Sequence, residues 1–287
     1  MSGVVLVVGS LHHDIMIEAD RLPRVDETAV GRRWYPKFGG KGGNQAVAAA
    51  AAGARARMFG AVGADGFGAF LTAALDAGGV DRRFVREVAG AGSGMSVAVV
   101  EASGDYAATI VSGANLLLDV ADLEEAALWD GVAVLVLQNE VAGAVNLAAA
   151  RAARARGVRV ILNAAPARPI DAEMRAAVDL LVVNAVEAEM MGGGAVAGLQ
   201  EALAAARVLA AAGGEVIVTA GGHGLAAVTG EGEFALPARK VAVVSSHGAG
   251  DCFIGTLAAA LARGEGLRAA CGQAAEAAAR HVSRAAP

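Results

Sequence analysis

Short runs of aliphatic and β-branched residues recur along this chain with alanine-rich stretches of helical spacing between them, and this alternation constrains the fold more than any other feature. The runs are Val4–Val8, Ala56–Val62, Val132–Leu137, Val158–Leu162, Leu180–Val183 and Val216–Thr219. Runs this short and this apolar fit strands buried on both faces, as in a parallel sheet. The segments with helical spacing are Asn44–Ala52, Phe67–Ala77, Val141–Arg156, Leu199–Ala212, Asp251–Arg263 and Leu267–Arg284. Strand and helix in alternation predict an α/β fold with helices on both faces of the sheet.

Two regions break the rhythm. Ile15–Glu18 with Thr28–Trp34, and Ser96–Glu101 with Tyr106–Val111 across the turn Ala102-Ser103-Gly104-Asp105, alternate apolar and polar residues. That period belongs to half-exposed antiparallel strands. They form either a lid over one edge of the main sheet or an ordinary edge hairpin. With no internal repeat or flexible linker, residues 1–287 are expected to form one domain carrying this small appendage.

Composition removes several function classes. A net charge of −5 and 4% aromatic residues leave neither the basic footprint nor the stacking platforms of a nucleic-acid binder. No apolar stretch reaches the roughly 18 uncharged residues of a membrane span, and Met1–Ser10 lacks the features of a signal peptide, so a soluble cytoplasmic protein is expected. Cys252 and Cys271 stand in no metal-ligand or CxxC spacing, so neither a disulfide nor structural zinc is expected.

The chemistry concentrates in two glycine-rich segments. His247-Gly248-Ala249-Gly250-Asp251 precedes a long alanine-rich helix, where backbone N–H groups and the helix dipole together make an anion site. The spacing leaves two roles open for Asp251: a helix N-cap, or a general base that takes a hydroxyl proton while the amides stabilise a transferred phosphoryl group. The second segment is Phe38-Gly39-Gly40-Lys41-Gly42-Gly43-Asn44-Gln45-Ala46, whose four glycines let a ligand approach the backbone ahead of a helix. It is not a Walker A loop, because Lys41 is followed by glycine, and no G-x-G-x-x-G follows the first strand. Asp14, Glu140, Asn184 and Glu187 follow apolar runs, at strand ends where open α/β sheets bind ligands. Each is also an ordinary candidate for a helix cap or a solvated charge.

With Asn184-Ala185-Val186-Glu187 as a third motif, these segments identify a resemblance to the PfkB-type carbohydrate kinase family in its ribokinase form, extending from Val4 to about Arg284. The resemblance implies a three-layer α/β/α fold with a mostly parallel central sheet and a small β-sheet lid, the lid strands lying at about 11–38 and 93–111. It implies transfer of the ATP γ-phosphoryl group to a sugar hydroxymethyl group, with ribose the first acceptor to try. Another pentose, a ketohexose or a nucleoside is the alternative acceptor, and a catalytically impaired sugar- or nucleotide-binding protein is the alternative class. By the resemblance Asp251 is the base, and Gly248, Ala249, Gly250 and the Asp251 amide shape the anion hole. Asp14, Gly39, Gly40, Lys41, Asn44 and Glu140 match sugar-contact positions. Asn184 and Glu187 organise the phosphates and a hydrated Mg2+, while Thr219, Gly221 and Gly224 match the nucleotide-side loop.

Three positions depart from the family pattern. His12 stands where an asparagine is usual beside Asp14. Ser245-Ser246-His247 replaces a segment whose aspartate helps hold a monovalent cation. With the chain ending at Pro287, weak or absent potassium activation is the expectation. Ala275 stands nearest to an adenine-side asparagine. A homodimer joined through the lid is a further expectation of the family.

Overall fold

A computed structural model describes residues 3–101 and 106–283, so the expected turn Ala102-Ser103-Gly104-Asp105 lies outside the described residues. The N-terminal half contains β1 (Val4–Val8), β2 (His12–Ala19), β3 (Arg33–Gly39), α1 (Lys41–Ala51), β4 (Arg55–Gly63), α2 (Gly66–Ala77), β5 (Asp81–Val88), β6 (Met95–Glu101) and β7 (Tyr106–Val111). After three short 3-10 turns come β8 (Val132–Gln138), α3 (Gly143–Arg154), β9 (Arg159–Asn163), α4 (Ala172–Ala177), β10 (Leu180–Asn184), α5 (Ala185–Met190) and α6 (Leu199–Ala210). The chain continues through β11 (Glu215–Thr219), β12 (Gly224–Thr229), β13 (Gly232–Pro237), α7 (Ala249–Ala262) and α8 (Leu267–Val282). No described helix is long and apolar enough to cross a membrane.

Nine strands form the central sheet in the order β13-β12-β11-β10-β9-β8-β1-β4-β5. All neighbours are parallel except the antiparallel pairs β11–β12 and β12–β13 at one edge. The strand period of two explains the layers. Leu6 and Val8 of β1 face a core built with Val145 and Ala149 of α3 and Ala202, Ala205 and Ala206 of α6. Val5 and Val7 face the opposite core, built with Ala46 and Ala49 of α1, Leu71 and Leu75 of α2, Leu257 of α7 and Ala270 of α8. Each fully buried Val or Leu contributes about 1.5–3 kcal/mol, so a sheet covered on both sides is the most stabilising use of these runs.

The alanine-rich helices pack closely, and one contact positions the site. A Cβ on Gly255 of α7 would lie 2.5 Å from both Ala48 Cβ and Gln45 O of α1. Only glycine lets α7 approach α1 this far, and Asp251 lies one turn earlier on the same face of α7.

A second sheet has the order β3-β2-β6-β7. Ser96–Glu101 and Tyr106–Val111 pair antiparallel as expected. The partner of β2 is corrected: it is Arg33–Gly39, with Ile17 opposite Trp34 and Asp14 opposite Lys37, and not Thr28–Trp34. Pro36 is accommodated because β3 is the sheet edge, where a residue without an N–H costs no ladder bond.

The connections out of β1 and β8 diverge. From β1 the sheet grows through β4 to β5; from β8 it grows the other way through β9, β10 and β11. Adjacent strands with diverging connections leave a crevice at their carboxyl ends, the usual ligand position in open α/β sheets.

Candidate active site

The crevice is filled with polar side chains. Ser10 follows β1 and Glu140 follows β8, and Ser10 Oγ donates to Glu140 Oε2 at 2.5 Å. The same carboxylate oxygen accepts from the Lys41 amide at 2.9 Å. Helix α1 begins at Lys41 behind Gly40, which has no side chain to cap it, so Glu140 supplies the cap from across the crevice. His12 Nδ1 lies 3.9 Å from that oxygen, while His12 Nε2 is buried with no hydrogen-bond partner. Asp14 on β2 accepts from Ser96 Oγ of β6 at 2.5 Å.

The glycines do other work than expected. Gly42 and Gly43 lie inside the first turn of α1, and their missing Cβ atoms face the Gly9–Ser10 backbone and the side chains of Phe38 and Leu11. A Cβ on Gly39 would fall 2.1 Å from Asp14 Oδ2. Gly40 has φ 84° and room only for hydrogen against His12 N and Ser10 O. Glycine is demanded here by close approach of the chain to itself, which delivers Lys41 and Asn44 to the crevice on a rigid helix.

Asp251 is the third residue of α7, and the N-cap is Gly248, in the left-handed conformation at φ 78°. The capping role left open for Asp251 is thereby excluded. Its side chain turns to α1 instead, where Asn44 Nδ2 donates to Oδ2 at 3.1 Å and Gln45 Nε2 donates to Oδ1 at 2.9 Å. Gln45 is held in turn: its Nε2 also reaches Asn163 Oδ1 at 3.0 Å, and its Oε1 accepts from Gln138 Nε2 at 2.7 Å. Burial pushes the Asp251 carboxyl above its ordinary range, opposed by the positive charge of Lys41 and by the two donated hydrogen bonds. The result is a fixed, half-buried carboxylate with lone pairs left for a substrate proton.

Fewer amides are left free at the start of α7 than the expected anion hole calls for. The Ala249 amide donates to Ser246 O at 3.3 Å, which leaves the amides of Gly250 and Asp251 in the first turn. Gly248 serves the turn through its conformation. The Ser245–His247 segment is tied to the end of α8, with the Val244 and Ser245 amides bonded to Val282 O and His281 Nε2 against His247 O at 2.9 Å. A cavity of about 710 Å³ opens beside Asp251 between α1, α7 and α8, with Lys37, Asn44 and His247 among its walls.

Farther along the rim, Asn184 ends β10 and caps α5 in a reciprocal capping box: its Oδ1 accepts from the Glu187 amide at 2.8 Å, and Glu187 Oε2 accepts from the Asn184 amide at 2.9 Å. Glu187 is buried, which raises its pKa, while the charge of Lys41 lowers it. Thr219 is the sheet neighbour of Asn184. Gly221 is open at φ 53°, whereas Gly224 is needed by the chain itself, since a Cβ there would lie 2.1 Å from Leu236 O. Neither these residues nor Asn184 line the 710 Å³ cavity.

Sequence reasoning missed the working parts of the network around Asp251. Gln138 and Asn163 are polar residues terminating the apolar runs of β8 and β9, and that termination was the available signal.

Comparison with known proteins agrees with this geometry. Residues 4–286 match the pfkB family carbohydrate kinases. The chain is 34% identical over 266 residues to a ribokinase of Mus musculus, covering 91% of this chain and 82% of that one. It is 33% identical over 257 residues to a deoxyribokinase of Salmonella typhi, covering 88% and 84%. A solved structure of Arabidopsis thaliana ribokinase complexed with ribose and ATP superposes with a TM-score of 0.91 at 28% identity, covering 100% of this chain and 94% of that one. With the family matching nearly end to end, and its sugar-kinase motifs brought together on one crevice, the chain belongs to the pfkB family of carbohydrate kinases.

Proposed function

We propose that this protein is an ATP-dependent ribose kinase in which Asp251 is the general base. The observation that carries the reading is the Asp251 carboxylate itself, held by Asn44 and Gln45 beside two unspent amides at the start of α7 and within the field of Lys41. The sugar hydroxyl oxygen attacks the γ-phosphorus as its proton passes to Asp251. The bond from that phosphorus to the bridging oxygen breaks, and ADP leaves with the electron pair. Charge on the transferred group is met by the Gly250 and Asp251 amides and by Lys41. Asp14, Glu140, Asn44 and the Gly39–Gly40 backbone bind the sugar hydroxyls. Asn184, Thr219 and Gly221 face the nucleotide, and the chain acts as one kinase unit whose second sheet covers the sugar and excludes water.

Magnesium fits the donor set in a limited way. Among the described residues no three His, Cys, Asp or Glu side chains cluster, and Glu187 has one carboxylate oxygen outside its capping bond. That suits an ion carried mainly by water and phosphate oxygens, which Glu187 would hold through water. When bound, such an ion neutralises charge on the phosphates.

Deoxyribose is the second reading, supported by the deoxyribokinase relative. A coupled assay of ADP release over ribose, 2-deoxyribose, fructose and nucleosides, with Asp251→Asn as control, decides between them. Turnover is expected with ribose. Equal background rates for wild type and variant on every sugar would overturn the proposal.

A further inference from the structure

At the opposite end of the central sheet, where β9, β10 and β11 begin, a second, open cavity of about 940 Å³ lies between the end of α4 and the turn into β11. Five charged side chains line it: Arg154, Arg159, Arg175, Asp179 and Glu215. Four of them are paired. Arg154 Nη1 meets Asp179 Oδ1 at 3.3 Å, and Arg159 meets Glu215. Arg175, in the last turn of α4, is the exception: it is 8% exposed, and its Nε, Nη1 and Nη2 atoms all lack a hydrogen-bond partner.

A guanidinium carries five donors and stays charged, so burying one without an acceptor is costly. The local backbone accommodates that group. Gly213 and Gly214 enter β11 with φ of 101° and 72°, and a Cβ on Gly214 would come within 2.9 Å of Arg175 Nη1. Arg159, which also lines the cavity, likewise has a buried Nε without a partner. Two balanced ion pairs flank one unbalanced cation, which favours a small ligand of low negative charge with two oxygens spaced to meet the guanidinium edge.

We propose that Arg175 is the base of an anion site, distant from the phosphoryl-transfer crevice, that takes a small oxyanion, a carboxylate or a phosphate group. Bidentate pairing satisfies the buried guanidinium and ties α4 to the β11 turn. Because the ligand binds the folded state, it stabilises the protein in proportion to its occupancy.

The test is thermal unfolding of the full chain in sodium phosphate and in sodium malonate, against sodium chloride at matched ionic strength. The same series is run on Arg175→Met, Arg175→Lys and Lys41→Met. At 100 mM, one or both anions are expected to raise the wild-type Tm by about 2–4 °C over chloride. Phosphate acting alone identifies a phosphate group as the ligand, and malonate acting at least as strongly identifies a carboxylate. Lys41→Met should keep the rise, since its ammonium belongs to the other crevice. Arg175→Met should abolish the rise, hold its own Tm in chloride at or above wild type, and retain sugar-kinase turnover within about twofold. If Arg175→Met fails to fold, Arg175→Lys carries the test through isothermal titration, with affinity for the active anion expected to fall about tenfold or more. No rise with either anion, a rise that persists in Arg175→Met, or unchanged affinity in Arg175→Lys would overturn the site. None of these outcomes bears on whether the protein phosphorylates ribose.

Discussion

Helices α5 and α7 each carry a buried or half-buried carboxylate at their third position, and they use it in opposite ways. In α5 the N-cap Asn184 and Glu187 bond each other's amides, so the carboxylate folds back on its own helix. In α7 the N-cap is Gly248, which offers no side chain, and Asp251 turns away to Asn44 and Gln45 of α1. Burial raises both pKa values. A carboxylate engaged in its own cap is poorly placed to take a proton, whereas one held by neutral amide donors is oriented and still has lone pairs to offer. Glycine at the N-cap thus gives up local helix stability and leaves Asp251 available for chemistry.

The largest effect expected from breaking this contrast is on turnover. Asp251→Asn should lower kcat by about 10² to 10⁴ with little change in sugar KM, read in the coupled assay. Its stability should respond the other way. Because folding raises the Asp251 pKa, the native state binds more protons than the unfolded chain between the ordinary aspartate value and the raised one. The stability Asp251 contributes is full below its unfolded pKa and is lost as pH rises through the folded pKa. At pH 7 Asp251→Asn should therefore melt no lower than wild type, and a fall of several degrees would count against a strained, ionised base. In wild type the acid limb of kcat/KM should lie above the ordinary aspartate range, since the base must be ionised to act.

Next in size is Gly255→Ala. Its new Cβ would sit 2.5 Å from Ala48 Cβ and Gln45 O, so α7 must move off α1. A stability loss of about 1–3 kcal/mol by denaturant unfolding is expected, with a fall in kcat as Asp251 drifts from its two donors. The same substitution on the exposed Gly272 of α8, where a Cβ meets nothing within 4 Å, should cost nothing.

Gln45→Leu removes a donor that lowers the Asp251 pKa, so the acid limb of the pH profile should move further up. It also strands Gln138 Nε2 and Asn163 Oδ1, at about 1–3 kcal/mol. A profile that does not move would mean that Gln45 holds the core and not the base. The smallest effect belongs to α5: Asn184→Ala should lose about 0.5–2 kcal/mol of stability through the missing cap, measured by denaturant unfolding.

Much of this was legible because the signals are local. Val4–Val8 and Val132–Leu137 announce buried strands whatever surrounds them, and the Asn184–Glu187 box needs only residues three apart. Where the reading slipped, tertiary contact overrode a local preference. The helical spacing started α1 at Asn44 with the glycines ahead of it, but Gly42 and Gly43 sit inside the first turn because only they fit against Gly9, Ser10, Leu11 and Phe38. Alternation placed the partner of β2 at Thr28–Trp34, whereas the ladder runs over Arg33–Gly39, including Pro36, which an edge strand tolerates. The three expected amides at α7 became two because Ser246 O claims the Ala249 N–H, a bond that depends on how the preceding loop folds.

By itself, then, the amino-acid order determined an α/β sheet covered on both faces, the glycine-rich helix starts and the carboxylates at strand ends, since periodicity and short motifs act over a few residues. Only the tertiary structure decided that Glu140 caps α1 from 99 positions away, that Gln138, Gln45 and Asn163 orient Asp251, and that Arg175 is buried without a partner. Those outcomes depend on which strands become neighbours, and hydrogen bonds between distant residues form only after the sheet order has brought them within reach.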